Sequence, residues 1–386
     1  MSGIIIRAAR ILEGGGLNPL ENGALAVRGG CIEFAGSSAE AQKKYPGYET
    51  LDLGDVTLLP GMIDCHSHTS MDAKVPGHLD MMNDPAPELA IRAVRYARED
   101  LAAGITTVRV LGDKHYADVA VRRAINAGEI PGPRLLVAGI GMRGIHGHGF
   151  VGVPHTGVQE FRATCRENML RKADWLKIFV TAGAPPVNGT HIPSFVSLEE
   201  IETVTGEAKR FGIRTSAHCI GGEGLVNCVK AGIDVIDHAY CATADDLKLI
   251  RDSGRAICLT PGVFMNLERN KNNPPLVARN TELGRQRVIE VMSAIVSSGV
   301  FYAIGSDALH GGLALEAAHA LQLGASVREA LLGVTVNAAA LCGVNDRGRL
   351  SPGKLADIIA VEGNPLENIG DLKNLVFVMK DGLRYL

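Results

Sequence analysis

Residues Leu59-Pro60-Gly61-Met62-Ile63-Asp64-Cys65-His66-Ser67-His68 form an apolar run that ends on two histidines. The run from Thr57 to Ile63 reads as a buried β-strand, which puts His66 and His68 at its C-terminal end. Alternation along a strand aims both imidazoles to one side. Two neutral imidazoles on one face can share a divalent metal. The spacing alone fits equally well with two polar residues opening a loop.

The rest of the chain repeats the pattern. Further apolar runs are Thr106 to Leu111, Arg134 to Ala138, Trp175 to Thr181, Arg214 to Ala217, Val235 to Asp237, Ile257 to Thr260 and Phe301 to Ile304. The stretches between them are amphipathic, as in Pro87 to Ala103 and Leu198 to Phe211. Ser197 ahead of Glu199 and Glu200 is a helix start, and Gly212 is a stop. Buried strands alternating with helices predict an α/β fold over residues 58–348, a parallel (β/α)8 (TIM) barrel rather than an open sheet.

The flanks differ. Within residues 1–57, Ile4 to Ile6, Ala24 to Val27 and Cys31 to Phe34 are strand-like, with Asn22-Gly23 and Gly29-Gly30 as separating turns. Within residues 349–386, Ala356 to Val361 and Leu375 to Met379 are strand-like, with Asp381-Gly382 as a turn. The simplest arrangement joins the two flanks in one small β-sandwich domain. The polar stretch Asn266 to Pro275 is expected to be a mobile loop at the barrel mouth. The loops Met71 to Pro85, His146 to Gly157, Gly183 to Pro193 and Val263 to Leu276 are expected to set specificity.

Bulk properties narrow the function. The chain has 386 residues and a formal net charge of -3, so no basic excess is available to grip nucleic acid. No run of about 18 apolar residues suggests a membrane span. Arg7 and Arg10 interrupt the apolar start, which reads as a strand rather than a signal peptide. The eight cysteines are scattered without a CxxC pair, as expected of reduced thiols in a cytoplasmic enzyme.

More polar residues stand at strand ends. His218 follows Arg214 to Ala217, His238 follows Val235 to Asp237, and Asp307 follows the run that reaches Ile304. Lys177 lies inside Trp175 to Val180, a strand with no other use for a charge. Each has a bland explanation alone, since a lone histidine is usually structural and a lysine can snorkel out. Together they place metal-ligand types at the C-terminal ends of strands one, four, five, six and eight, the end where barrel enzymes build their sites.

On these residues the chain resembles the amidohydrolase superfamily nearly end to end. The likeness runs from Leu59–His68 to the exit Gly348-Arg349-Leu350-Ser351-Pro352-Gly353-Lys354-Leu355-Ala356-Asp357-Ile358. It looks closest to the branch of imidazolonepropionases and prolidase-like enzymes. Ala173 to Ile178 and Ile236-Asp237-His238 point to the prolidase-like side. The resemblance implies two divalent metal ions, with zinc suited to the ligands. His66, His68 and Asp307 would bind the more buried ion, and His218 and His238 the other. Lys177, carboxylated by CO2, would bridge both as a carbamate. Asp307 would also carry a proton from the activated water to the leaving nitrogen.

For the substrate, the resemblance suggests His148 in Gly147-His148-Gly149, with His146 as a substitute. Tyr240 could hydrogen-bond a polarised carbonyl, and Arg143 could pair with a substrate carboxylate. His310 lies just past Asp307. His78, His115, His155, His191 and His319 are expected to be structural or on the surface. The implied activity is hydrolysis of a C–N bond in a small molecule such as a dipeptide, an N-acyl amino acid or a cyclic amide.

Other readings remain. One is a mononuclear deaminase or imidazolonepropionase-like enzyme. Glu223 stands five positions after His218, the wrong spacing for a deaminase's proton shuttle. A lactone or ester hydrolase would use the same site, and a catalytically dead scaffold should have lost ligands that this chain keeps. A homo-oligomer is compatible with all of them.

Overall fold

The computed structural model describes residues 3–187 and 189–386. Its centre is a (β/α)8 barrel with the strands Met62–Ser67, Ile105–Val110, Arg134–Val137, Trp175–Phe179, Arg214–Cys219, Val235–His238, Ala256–Leu259 and Tyr302–Ile304. Neighbouring barrel strands pair in parallel. The third position is shared: Arg134–Val137 pairs with strand two, while Gly141–Gly144 pairs with strand four. At the seam between strands eight and one, the backbone N–H of Asp307 donates to the carbonyl of His66 at 2.7 Å.

Strand four shows why the barrel reads as apolar runs. Leu176, Ile178 and Val180 pack into a core with Phe161, Ile201 and Val204 from the covering helices. Trp175, Lys177 and Phe179 therefore face inward, and all five strand residues are buried. With both faces covered, no polar alternation can appear. The helix Leu198–Phe211 starts and stops as expected. The side chain of Ser197 and Glu200 form a capping box, and Gly212 ends the helix at φ 69°.

Both ends of the chain build one β-sandwich domain. Ile358–Glu362 lies antiparallel to Val56–Pro60, which is parallel to Ile4–Glu13. The remaining strands continue the sheet on either side. Leu58, Ile358 and Ala360 point into the sandwich with Ile6, Leu25 and Phe377. Leu59, Ile359 and Val361 point the other way, against Ala97 and Leu101 of the barrel layer. Arg134 at the start of barrel strand three donates to the buried carboxylate of Asp357 and to Asp381, fixing the domains together. No helix among the described residues is long and apolar enough to cross a membrane.

Three expectations need correction. The run Thr57 to Ile63 is two strands, one in the sandwich and one in the barrel, divided at Gly61. A Cβ at Gly61 would collide with the side chain of Thr106, so only glycine lets the chain cross there. Asn22-Gly23 is not a turn: it lies inside the strand Asn18–Arg28, where Asn22 takes a left-handed φ of 51° with no shift of register. The stretch Asn266 to Pro275 is largely helical. The side chain of Asn266 caps Leu267–Lys271, and Pro275 opens the helix Pro275–Ser297. Its polarity comes from caps and packing contacts, such as Asn272 Nδ2 donating to the carbonyl of Lys74 at 3.0 Å.

Candidate active site

The strand ends gather the expected ligands. Nε2 of His66 and of His68 stand 3.5 and 3.6 Å from Oδ1 of Asp307. Ligand atoms of these three side chains all lie within 4.8 Å of one another. The His238 ring is 4.8 Å from that of His66 and 4.7 Å from that of His218, between centroids.

Two of these positions depend on strained backbone. Alternation would aim His238 outward with Ile236. Strand six instead leaves the extended form at His238 (φ 77°) and Ala239 (φ 53°), which carries the imidazole to the centre beside inward-facing Asp237. Asp307 (φ 51°) and Ala308 (φ 64°) are also left-handed. Such residues cost about 1 kcal/mol or more each and persist only where neighbours hold them. For Asp307 the holder is Arg269, which donates to the carbonyls of Ser306 and Asp307 and to Oδ2 of Asp307.

The residues fit a divalent cation. Three imidazoles have one ring nitrogen occupied: Nδ1 of His68 at 2.9 Å from the Gly112 carbonyl, Nε2 of His218 at 3.0 Å from the Ala182 carbonyl, and Nδ1 of His238 at 2.8 Å from the Thr260 hydroxyl. Donation from that nitrogen leaves a lone pair on the other, the usual support for a metal-binding histidine. Nδ1 of His66 is buried without a hydrogen bond. Burial, aided by the charge of Lys177, pushes His66 down to about 4. Burial likewise lowers His68, His218 and His238, so all four are neutral donors at pH 7. Burial works against ionisation of Asp307, but its surroundings, with the permanent cation of Arg269 3.3 Å from Oδ2, outweigh burial and hold its pKa below the ordinary value. Neutral nitrogens with an anionic oxygen suit zinc and related ions.

Lys177 is buried beneath this cluster and donates to Oδ2 of Asp237. Asp237 also accepts from Ser216 Oγ at 2.6 Å and from Arg109 Nη2 at 3.1 Å. The Arg109 guanidinium lies over the Trp175 ring at 4.6 Å. Burial lowers the Lys177 pKa, and Asp237 opposes that shift.

The other expected residues divide. His148 lines the central cavity, of about 280 Å³, with its ring 4.5 Å from that of His218. Tyr240 also lines it, but its hydroxyl is engaged by Thr260. His146 stands outside the cavity, edge-on to Phe195 at 5.3 Å beside a separate surface cleft. Arg143 donates to the carbonyls of Gly144, Ile145 and Gly147, so it braces its own loop. His78, expected to be structural, lines the cavity, as does Arg269, which sequence reading missed. His310 packs behind the site, stacked on Tyr96 and bonded to Asp100.

The sequence pattern of the amidohydrolase family matches residues 57–384. The chain belongs to that family. Ochratoxinase of Aspergillus niger is 29% identical, covering 95% of this chain and 82% of that protein. Imidazolonepropionase of Paracoccus denitrificans is 25% identical, covering 90% and 89%. The crystal structure of a Xaa-Pro dipeptidase with methionine bound in its active site superposes with a TM-score of 0.87 at 28% identity, over 100% of both chains. The protein is an amidohydrolase-family enzyme acting on C–N bonds, with the barrel and β-sandwich of that family's structures.

Proposed function

We propose that the protein is a metal-dependent amide hydrolase acting on a small molecule, with two zinc ions. His66, His68 and Asp307 would hold one ion, His218 and His238 the other, and Lys177, as its carbamate, would complete the centre. The observation that carries this reading is the meeting of His66, His68 and Asp307 around one point, with three imidazoles already oriented by backbone or hydroxyl partners. Ions bound there would lower the pKa of water and polarise the scissile carbonyl.

Asp307 is the residue we assign to carry the proton. Oδ1 faces the two histidines while Oδ2 is held by Arg269. It takes a proton from the attacking water and returns it to the leaving nitrogen. His148 borders the same space and positions the substrate. Phe150, Phe179 and Phe264 wall the cavity.

One observation favours a second reading. Lys177 is in contact with Asp237, which also accepts from Arg109 and Ser216. A lysine held in that polar cluster suits a mononuclear, imidazolonepropionase-like site in which Lys177 is structural. Elemental analysis of protein expressed with zinc and bicarbonate separates the two. About two metals per chain supports the bridged centre, and about one supports the mononuclear site.

A further inference from the structure

The cavity walls carry information about the substrate that the metal ligands do not. They come from the loops after strands one, three, four and seven and from the first turns of the helix Pro275–Ser297. Leu79, Phe150, Phe179, Val263, Phe264 and Val277 supply an apolar lining. Asn273, Asn280 and Thr281 add neutral hydrogen-bonding groups on one side.

Among the described residues that line the cavity, Arg269 is the one permanent cation, and it is already matched. Its Nη1 donates to the Ser306 carbonyl at 2.9 Å, and its Nη2 to the carbonyl and carboxylate of Asp307 at 2.8 and 3.3 Å. Arg143, the other candidate for gripping a carboxylate, is turned into its own loop. The one lining carboxylate, Asp307, is paired with that same arginine. Among the described lining residues, no side-chain charge is therefore left free to meet a terminal carboxylate or ammonium. An ionic end buried against phenylalanine and valine without a partner loses its hydration uncompensated.

We infer that this cavity takes an uncharged amide bearing an aromatic or branched aliphatic group, and selects against the same compound with a free carboxylate or ammonium end. At about 280 Å³ the cavity lies at the small end of ligand pockets, which suits one such group and a short acyl or amine partner. The inference rests on the proposed amide hydrolysis for the reaction, but not for the binding preference.

The test is a panel of matched pairs offered to the zinc-loaded protein. N-acetyl-L-phenylalaninol against N-acetyl-L-phenylalanine is one pair, and N-benzoylprolinol against N-benzoylproline another. Binding is read by calorimetry and cleavage by chromatography. We expect the neutral member to bind at least about tenfold tighter in each pair that binds. In Val277→Arg, which adds a cation to the wall, the acid should gain on its neutral partner by a similar factor. Acids binding as well as or better than their neutral partners would overturn the inference, as would a panel in which no neutral member binds. Neutral-selective binding without cleavage would sink the proposed reaction and leave this preference standing.

Discussion

Arg269 grips Asp307 at two points, with Nη2 at 2.8 Å from its backbone carbonyl and 3.3 Å from Oδ2 of its carboxylate. The same guanidinium reaches the carbonyl of Ser306. One side chain thus holds both the left-handed backbone at Asp307 and the rotation of its carboxylate, leaving Oδ1 facing His66 and His68.

Removing that grip should loosen the site without unfolding the barrel. Arg269→Ala is expected to weaken zinc binding by roughly 10- to 100-fold, the range seen when groups supporting a ligand are lost. Arg269→Lys should recover part of it. Competition with a chromophoric chelator reads the affinity, and wild-type affinity in Arg269→Ala would show that Asp307 needs no such support.

Asp307→Asn keeps a similar shape but removes the proton-accepting charge. It is expected to retain metal at one or both positions while turnover falls roughly 10²- to 10⁴-fold. Parallel metal analysis and kinetics check this, and unimpaired turnover would rule out the proton-carrying role.

Lys177→Ala tests the bridge. Occupancy of the paired ions should fall, with partial rescue by formate or acetate. The metal-free variant should also lose stability, because Asp237 loses one of its buried partners. Breaking a buried pair costs roughly 3 kcal/mol or more, and here the remaining bonds from Arg109 and Ser216 keep the loss at the low end. Two ions per chain and normal rates would eliminate the carbamate.

His310 gives a pH signature. Burial alone would lower its pKa, but the Asp100 carboxylate 2.9 Å from Nδ1 outweighs burial and raises it to about 9. The unfolded chain releases this proton near its ordinary value of about 6.5. The pair's contribution is therefore complete below about pH 6.5 and is lost as pH rises through about 9, amounting to about 3 kcal/mol at most. Thermal melts of chelator-treated protein at about pH 6 and pH 9.5 should show a larger fall for the wild type than for His310→Gln. Equal falls would mean that the pair carries no such linkage.

The barrel was legible in the sequence because its strands are buried on both faces and so appear as apolar runs. Lys177 stood out because a charge inside such a run must have a purpose. Arg109 breaks the run at 105–110 in the same way, and applying that reasoning there would have exposed the Arg109–Asp237–Lys177 cluster. The division at Gly61 was hidden because the segments on both sides of it are apolar, one in the sandwich and one in the barrel. Arg269 was hidden for a different reason. It reaches Asp307 from a short helix whose asparagine cap and flanking prolines read as a polar loop. The positions of His238 and Asp307 depend on left-handed backbone at residues that do not advertise it. Only their place at strand ends gave them away.

The strand order of the sandwich also governs how the chain can be made. Val56–Pro60 waits for a partner, Ile358–Glu362, that leaves the ribosome only after nearly the whole barrel has been translated. Until then one edge of this apolar strand has no cover, a known route to misassembly. Pairing across so large a sequence separation is slow. Pairing of these two strands, rather than closure of the barrel, is thus the step that covers this edge, and yield in expression should respond to chaperone supply.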